Sequence, residues 1–301
     1  RQTASAGWSS TTWRPVCVTH TNAIALSASI EGTLVARNHR GMANVREQMT
    51  RGYLLRAAQL ISQCTGRVYI LTGFPVGESF ETDGPAGAMA LYRLCQHLGS
   101  DPVILSDAQV VAALQEDFNC QSLLTSAEDG ASAAADALYR SQPPALFISI
   151  ERPGSASDGR CYNMAGTDIT ARCGGAEPYL AKANCPTIAI GDGGNELGMG
   201  NVLDSLSKLN IQPAVSTCDE LVVADVSNWA AYALCAVTHW LTDSKHSAEH
   251  RIDEDLAYLV ARGAIDGVTG EATPTEDGFP AAEGERLMQA VHHTLTSGVQ
   301  A

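Results

Sequence analysis

Leu146-Phe147-Ile148-Ser149-Ile150-Glu151-Arg152-Pro153-Gly154 is the stretch that decides the fold class. A short apolar run, polar only at Ser149, breaks off into a charged pair and then a Pro-Gly turn, which reads as a strand with chemistry at its end. The unit recurs on both sides. Val68–Thr72 and Val103–Leu105 read as earlier strands, and Thr187–Ile190 and Leu221–Ala224 as later ones. Helical stretches lie between and after them: Pro85–Leu98 (stopped by Gly99), Asp107 leading into a helix through Leu114, Ala131–Arg140 and Trp229–Leu241. The tail, from Asp253, reads as a short helix, a Gly/Thr/Pro-rich loop and a last helix from about Ala282. Alternating units of this kind predict an α/β protein, built of repeated βα units around a mostly parallel or mixed sheet.

The polar clusters follow the strands. Thr72–Pro85, Ser106–Asp107, Glu151–Gly154, Gly191–Gly200 and Asp225–Trp229 all begin where a strand should end. Ligands of open parallel sheets bind outside the carboxyl ends of the strands, so these loops predict one shared crevice.

Composition sets the outer limits. The chain has 301 residues, 45% of them hydrophobic, enough for a sizeable core. A formal charge of -14 leaves no basic face for nucleic acid and disfavours acidic membrane surfaces. No apolar run approaches the roughly 18 to 20 residues that span a bilayer, so the chain reads as soluble. Nine cysteines without a CxxC pair give neither a zinc knuckle nor a thioredoxin-type site, and their odd number favours reduced thiols. Cys64, Cys95 and Cys235 read as packing residues. Residues 1–30 hold no Asp or Glu and read as an N-terminal extension, either a transit segment or the remnant of a longer polypeptide. Residues 31–301 read as a single α/β domain, with room for a small subregion before residue 65.

Gly191-Asp192-Gly193-Gly194-Asn195-Glu196-Leu197-Gly198-Met199-Gly200 is the least ordinary segment. It fails the GxGxxG pattern and lacks a P-loop lysine, so no nucleotide cofactor is expected. Its carboxylates suit a hard divalent cation, Mg²⁺ or Mn²⁺, with Asp192 and Glu196 as ligands and Asp83 from a neighbouring loop as a third. Asp83 reads equally well as the cap of the helix that starts at Pro85. Arg152 offers a planar fork for a carboxylate, and Arg40 is a second such cation. Ser227 and Asn228 either donate hydrogen bonds to a substrate or cap the helix at Trp229. The histidines show no metal-ligand spacing.

These motifs, together with Thr72-Gly73-Phe74-Pro75, Glu81-Thr82-Asp83-Gly84-Pro85-Ala86-Gly87-Ala88 and Ser227-Asn228-Trp229, resemble the D-glutamate cyclase family in consistent order from about Arg40 to Gly278. The match is looser in the last loop, Asp266-Gly267 and Glu276-Asp277-Gly278. The resemblance implies a carbon-oxygen lyase that converts D-glutamate to 5-oxo-D-proline and water, in a bacterial cytoplasm or a mitochondrial matrix. Cyclisation needs a free amine, a neutralised γ-carboxylate and a proton for the departing oxygen. Physical argument then assigns a metal to Asp192, Glu196 and Asp83, and the substrate α-carboxylate to Arg152 with Arg40 in support. Proton shuttling falls to Glu151 or Glu81, and substrate orientation to Asn195, Ser227 and Asn228. The expected partner is a small anionic amino acid, with a homo-oligomer open. The rival readings are a metal-assisted amide or carboxylate hydrolase of a small amino-acid derivative, and a non-catalytic binder of an acidic metabolite.

Overall fold

A computed structural model describes residues 20–123, 128–173, 175–242 and 251–297. Most of the expected N-terminal extension, residues 1–19, lies outside the described residues, whereas residues 20–30 already belong to the first helix.

Six strands form the central sheet: β1 (Arg67–Thr72), β2 (Asp101–Ser106), β3 (Cys120–Ser122), β4 (Leu146–Ile150), β5 (Thr187–Gly191) and β6 (Glu220–Val223). Every neighbouring pair is parallel, and the spatial order is β3-β2-β1-β4-β5-β6. Of the parallel and mixed alternatives, the parallel one is therefore realised. The order reverses at β1. The chain winds outward to β3, returns to lay β4 on the free side of β1, and winds outward again. At such a reversal the loops after the two central strands diverge and open a crevice. Thr72 pairs with Ile150, so Gly73 and Glu151 leave the sheet side by side.

The helices are α1 (His20–Leu34), α2 (Met42–Arg46), α3 (Tyr53–Gln63), α4 (Pro85–His97), α5 (Ala108–Leu114) and α6 (Glu128–Ser141). They continue with α7 (Glu177–Ala181), α8 (Leu203–Leu206), α9 (Ser227–Leu241), α10 (Ile252–Val260) and α11 (Ala281–Ser297). Side chains alternate across the sheet with the period of a strand. Val68, Ile70, Ile104, Ile148 and Ile150 face a large core shared with α1, α3, α4, α9 and α11. Tyr69, Leu71, Val103, Leu105 and Phe147 face a smaller one closed by α6 and α7. Burial on both faces explains why these strands read as apolar runs rather than alternating ones. α9 is buried along most of its length, from Ser227 to Thr238, because α3, α4 and α11 surround it. No described helix is long and apolar enough to cross a membrane.

Candidate functional site

Two helices begin at the crevice, and each caps the other. Asp83, which precedes α4, accepts hydrogen bonds from the backbone N–H groups of Ser227 (3.0 Å) and Asn228 (2.7 Å) at the start of α9. Asn228 Oδ1 in turn accepts from Gly84 N (2.9 Å) and Gly87 N (2.7 Å) at the start of α4. Free N–H groups of a helix start require acceptors, and here a tertiary pair supplies them. Asp83 thus caps a helix, but a different one from the helix the sequence suggests. Asn228 Nδ2 donates to Thr82 O (3.2 Å) and Glu276 Oε2 (3.0 Å), so its whole amide is committed to the wall. Gly84 is needed where it stands: its φ is +90°, and a Cβ there would lie 2.7 Å from Glu151 Cβ.

The two helix starts direct their positive ends at a group of buried carboxylates. Asp83, Glu151 and Asp192 each bring one oxygen within 4.8 Å of the other two. Glu151 reaches this position through a left-handed backbone, φ 42°, at a cost of roughly 1 to 3 kcal/mol for a non-glycine residue. Its Oε2 accepts from Ser227 Oγ at 2.6 Å. Glu81 is buried nearby, against Gly267. Burial first, then the neighbouring carboxylates, push Glu81 and Glu151 well above the ordinary carboxylate range. Asp83 and Asp192 are also raised by burial. The α9 N–H bonds oppose the rise at Asp83, and Arg40 opposes it at Asp192.

Arg40 is the cation that meets this group. It donates to Asp192 Oδ1 at 2.6 Å and also pairs with Asp277. Asp225, at the end of β6, fixes the turn that carries it, accepting from the backbone N–H of Arg37 (2.7 Å) and Asn38 (2.9 Å). Burial would lower the Arg40 guanidinium pKa, but Asp192 and Asp277 raise it instead.

Two expected residues stand elsewhere. Glu196 is not a member of the triad: its carboxylate turns back on its own loop and accepts from the backbone N–H groups of Asp192, Gly193 and Gly194. Five glycines leave those N–H groups free to converge on one anion, and Glu196 supplies it from within. Arg152 is fully buried and tied to Asp107 and to Gly73 O. The αL turn at Glu151 sends the two neighbouring charges apart, one to the start of α9 and the other beneath the β2 loop. Asn195 lies within the Gly-rich loop, donating from Nδ2 to Tyr162 O at 2.8 Å.

Sequence reasoning missed the contribution of the tail. Glu276 is fully buried and accepts from Asn228, Trp229 Nε1 (2.7 Å) and Tyr232 OH (3.3 Å). Asp277 and Gly278 both have positive φ, 53° and 79°, and connect Thr275–Glu276 to Phe279–Pro280. Asp-Gly between two short strands is a hairpin signal, and it was available in the sequence.

The donor set fits a hard divalent cation. Three carboxylates converge, one arginine offsets only part of their charge, and Asp192 Oδ2 is buried without a hydrogen-bond partner among the described residues. Thr72 Oγ1 and Asn195 Oδ1, also buried, lack partners among the described residues as well. Buried polar atoms are ordinarily satisfied, so three around one crevice point to a ligand or water. No histidine takes part in the triad.

The fold and site together define a doubly wound parallel α/β protein with a buried acidic cluster at its switch point. The chain belongs to the D-glutamate cyclase-like family: a family model described as D-glutamate cyclase-like, C-terminal, matches residues 32–292. It is 32% identical over 287 residues to the D-glutamate cyclase, mitochondrial, of Homo sapiens. That alignment takes in 86% of this chain and 45% of the human protein, so the chain spans less than half its relative's length. Two solved structures are more distant. An exopolyphosphatase-related protein from Bacteroides fragilis aligns at 8% identity and TM-score 0.40, covering 84% of this chain and 58% of its own. RecJ in complex with Mn²⁺ from Thermus thermophilus aligns at 12% identity and TM-score 0.36, covering 95% and 45%. Likenesses this weak carry no argument.

Proposed function

We propose that the protein is a D-glutamate cyclase-like lyase that closes D-glutamate to 5-oxo-D-proline and water in the acidic crevice. The buried Asp83–Glu151–Asp192 triad at the switch point carries the reading. Family membership supports it. A divalent ion held by these three carboxylates would polarise the substrate γ-carboxylate and offset the charge that repels an approaching amine.

The chain's own residues account for binding and proton transfer. Arg40, partly exposed and already holding two carboxylates, receives the substrate α-carboxylate in exchange for Asp277. Arg152 keeps its place beneath the crevice. Curling the substrate brings its amine to the γ-carbon, where effective molarities reach about 10⁵ M or more. Two protons leave the ammonium nitrogen, and both end on the departing oxygen as water. Glu81 is suited to this transfer because burial and the neighbouring carboxylates raise its pKa and so favour its taking up a proton. Asn195 Oδ1, which lacks a partner among the described residues, accepts from the substrate amine.

The test is chiral chromatography of D- and L-glutamate incubated with metal-stripped protein, with and without added Mn²⁺. The expected result is loss of D-glutamate with matching 5-oxo-D-proline, restored by the ion. Turnover of N-acyl amino acids but not glutamate would move the reading to a hydrolase. Thermal stabilisation by D-glutamate without product would move it to a binding protein.

A further inference from the structure

Between β4 and α7 the chain makes an excursion, described over residues 153–173, that the acidic site does not use. It is held by isolated bridges, Ser155 with Cys161 and Tyr162 with Asp168. Its tip touches the Gly-rich loop twice. Tyr162 O accepts from Asn195 Nδ2, and Met164 Sδ lies where a Cβ on Gly193 would meet it at 2.7 Å. At its base, Cys161 and Cys173 are both buried and free. Ile169 N donates to Cys161 O at 2.9 Å, and Cys173 N donates to Thr170 O at 3.1 Å, closing the turn that brings the two together. Their thiols hydrogen-bond each other.

We propose that Cys161 and Cys173 are a redox pair that a hydroperoxide closes into a disulfide, fastening the excursion against the Gly-rich loop. Cys161 is the attacking sulfur. The Cys173 thiol hydrogen-bonds it and favours its thiolate, against burial and the Glu177 carboxylate, with the Ser155 hydroxyl and the Arg152 guanidinium in support. Cys173 is held in its thiol form by the same hydrogen bond and by burial. The Cys161 thiolate displaces an alcohol or water from the peroxide and becomes a sulfenic acid. The Cys173 sulfur then attacks it, forming the S–S bond and releasing water. Two thiols and one hydroperoxide thus give one disulfide, one alcohol (or water, when the oxidant is hydrogen peroxide) and one water, with two electrons passing from sulfur to the O–O bond. The other described cysteines are placed differently. Cys64, Cys95, Cys120, Cys185, Cys218 and Cys235 have thiols raised first of all by burial. The proposal does not depend on which substrate the crevice takes.

The chain carries its own mapping sites: Arg160, Arg172 and Lys182 place Cys161 and Cys173 on two adjacent tryptic peptides, 161–172 and 173–182. The full chain is treated with hydrogen peroxide, unfolded, alkylated and digested. The expected result is loss of both free peptides and appearance of a single linked pair lighter by two hydrogens, reversed by dithiothreitol. Hydrogen exchange across 156–172 should slow in the oxidised protein. C173S should form no link and should leave Cys161 as a sulfenic acid that dimedone traps. The wild-type measurement stands without any variant. If both thiols stay alkylatable while other cysteines oxidise, or if either pairs with a different cysteine, the proposal is overturned.

Discussion

Replacing Asn228 with alanine tests the reciprocal capping most directly. Its side chain makes four hydrogen bonds, to Gly84 N, Gly87 N, Thr82 O and Glu276 Oε2. Gly84 N keeps a second acceptor in Asp83 Oδ1 at 3.0 Å, so that loss is partly covered. Gly87 N has no other acceptor among the described residues, and a buried donor left unpaired costs about 1 to 3 kcal/mol. The bonds to Thr82 and Glu276 add about 1 kcal/mol each. The total, about 4 kcal/mol, is a large part of the roughly 5 to 15 kcal/mol that holds a domain folded. At roughly 2 to 4 °C per kcal/mol, the midpoint should fall by roughly 10 °C. Urea unfolding followed by far-UV circular dichroism measures the free energy. A loss below about 1 kcal/mol, with an unchanged urea slope, would refute the idea that the two helix starts hold each other.

Other consequences can be checked in the same protein. Burial lifts the Glu276 carboxyl from 4.5 to about 7, despite hydrogen bonds from Trp229, Asn228 and Tyr232. The folded state therefore binds that proton more tightly than the unfolded chain, and stability falls as pH rises from about 4.5 to about 7. Urea midpoints at intervals across that window should fall less steeply for Glu276→Gln, and equal slopes would sink the assignment. Glu151→Gln should weaken Mn²⁺ binding roughly tenfold or more in calorimetry, as loss of a direct ligand does at least as much as loss of a supporting one. The same variant should raise the thermal midpoint of the ion-free protein, because a neutral amide escapes the burial and like charges that disfavour the Glu151 carboxylate; unchanged affinity would remove Glu151 from the ion's ligands. Gly87→Ala should destabilise. Its Cβ would lie 2.5 Å from Ile150 Cδ1 and 2.8 Å from Ala231 Cβ, and overpacking of about 1 to 3 kcal/mol exceeds the roughly 1 kcal/mol gained in helix propensity. A higher midpoint in a thermal scan would contradict the close approach of α4 and α9.

Local pattern by itself located five of the six sheet strands and the helices α4, α5, α6, α9, α10 and α11, but not the short edge strand β3, the three helices before β1, or α7 and α8. An apolar run bounded by turn residues locates β4 whatever it packs against, and Pro85 and Gly99 bracket α4 because each restricts or frees its own backbone. The polar loops at strand ends located the crevice, since parallel strands deliver their carboxyl ends to one edge. Side-chain partners were not legible in the same way. Asp83 caps a helix 144 positions away, and Asn228 returns the contact, so no spacing within either motif announces the pair. Glu196 looked like a ligand because its loop is acidic and glycine-rich; the curl of that loop decided that its own N–H groups would take the carboxylate. Arg152 looked like a substrate clamp because it neighbours Glu151, but φ at Glu151 sends it to Asp107 instead. The Glu276 network joined the site from the tail only through the packing of α9 and α11. Sequence periodicity fixes what is local in the chain, whereas the charge balance of a buried crevice depends on carboxylates and cations that only the sheet order brings together.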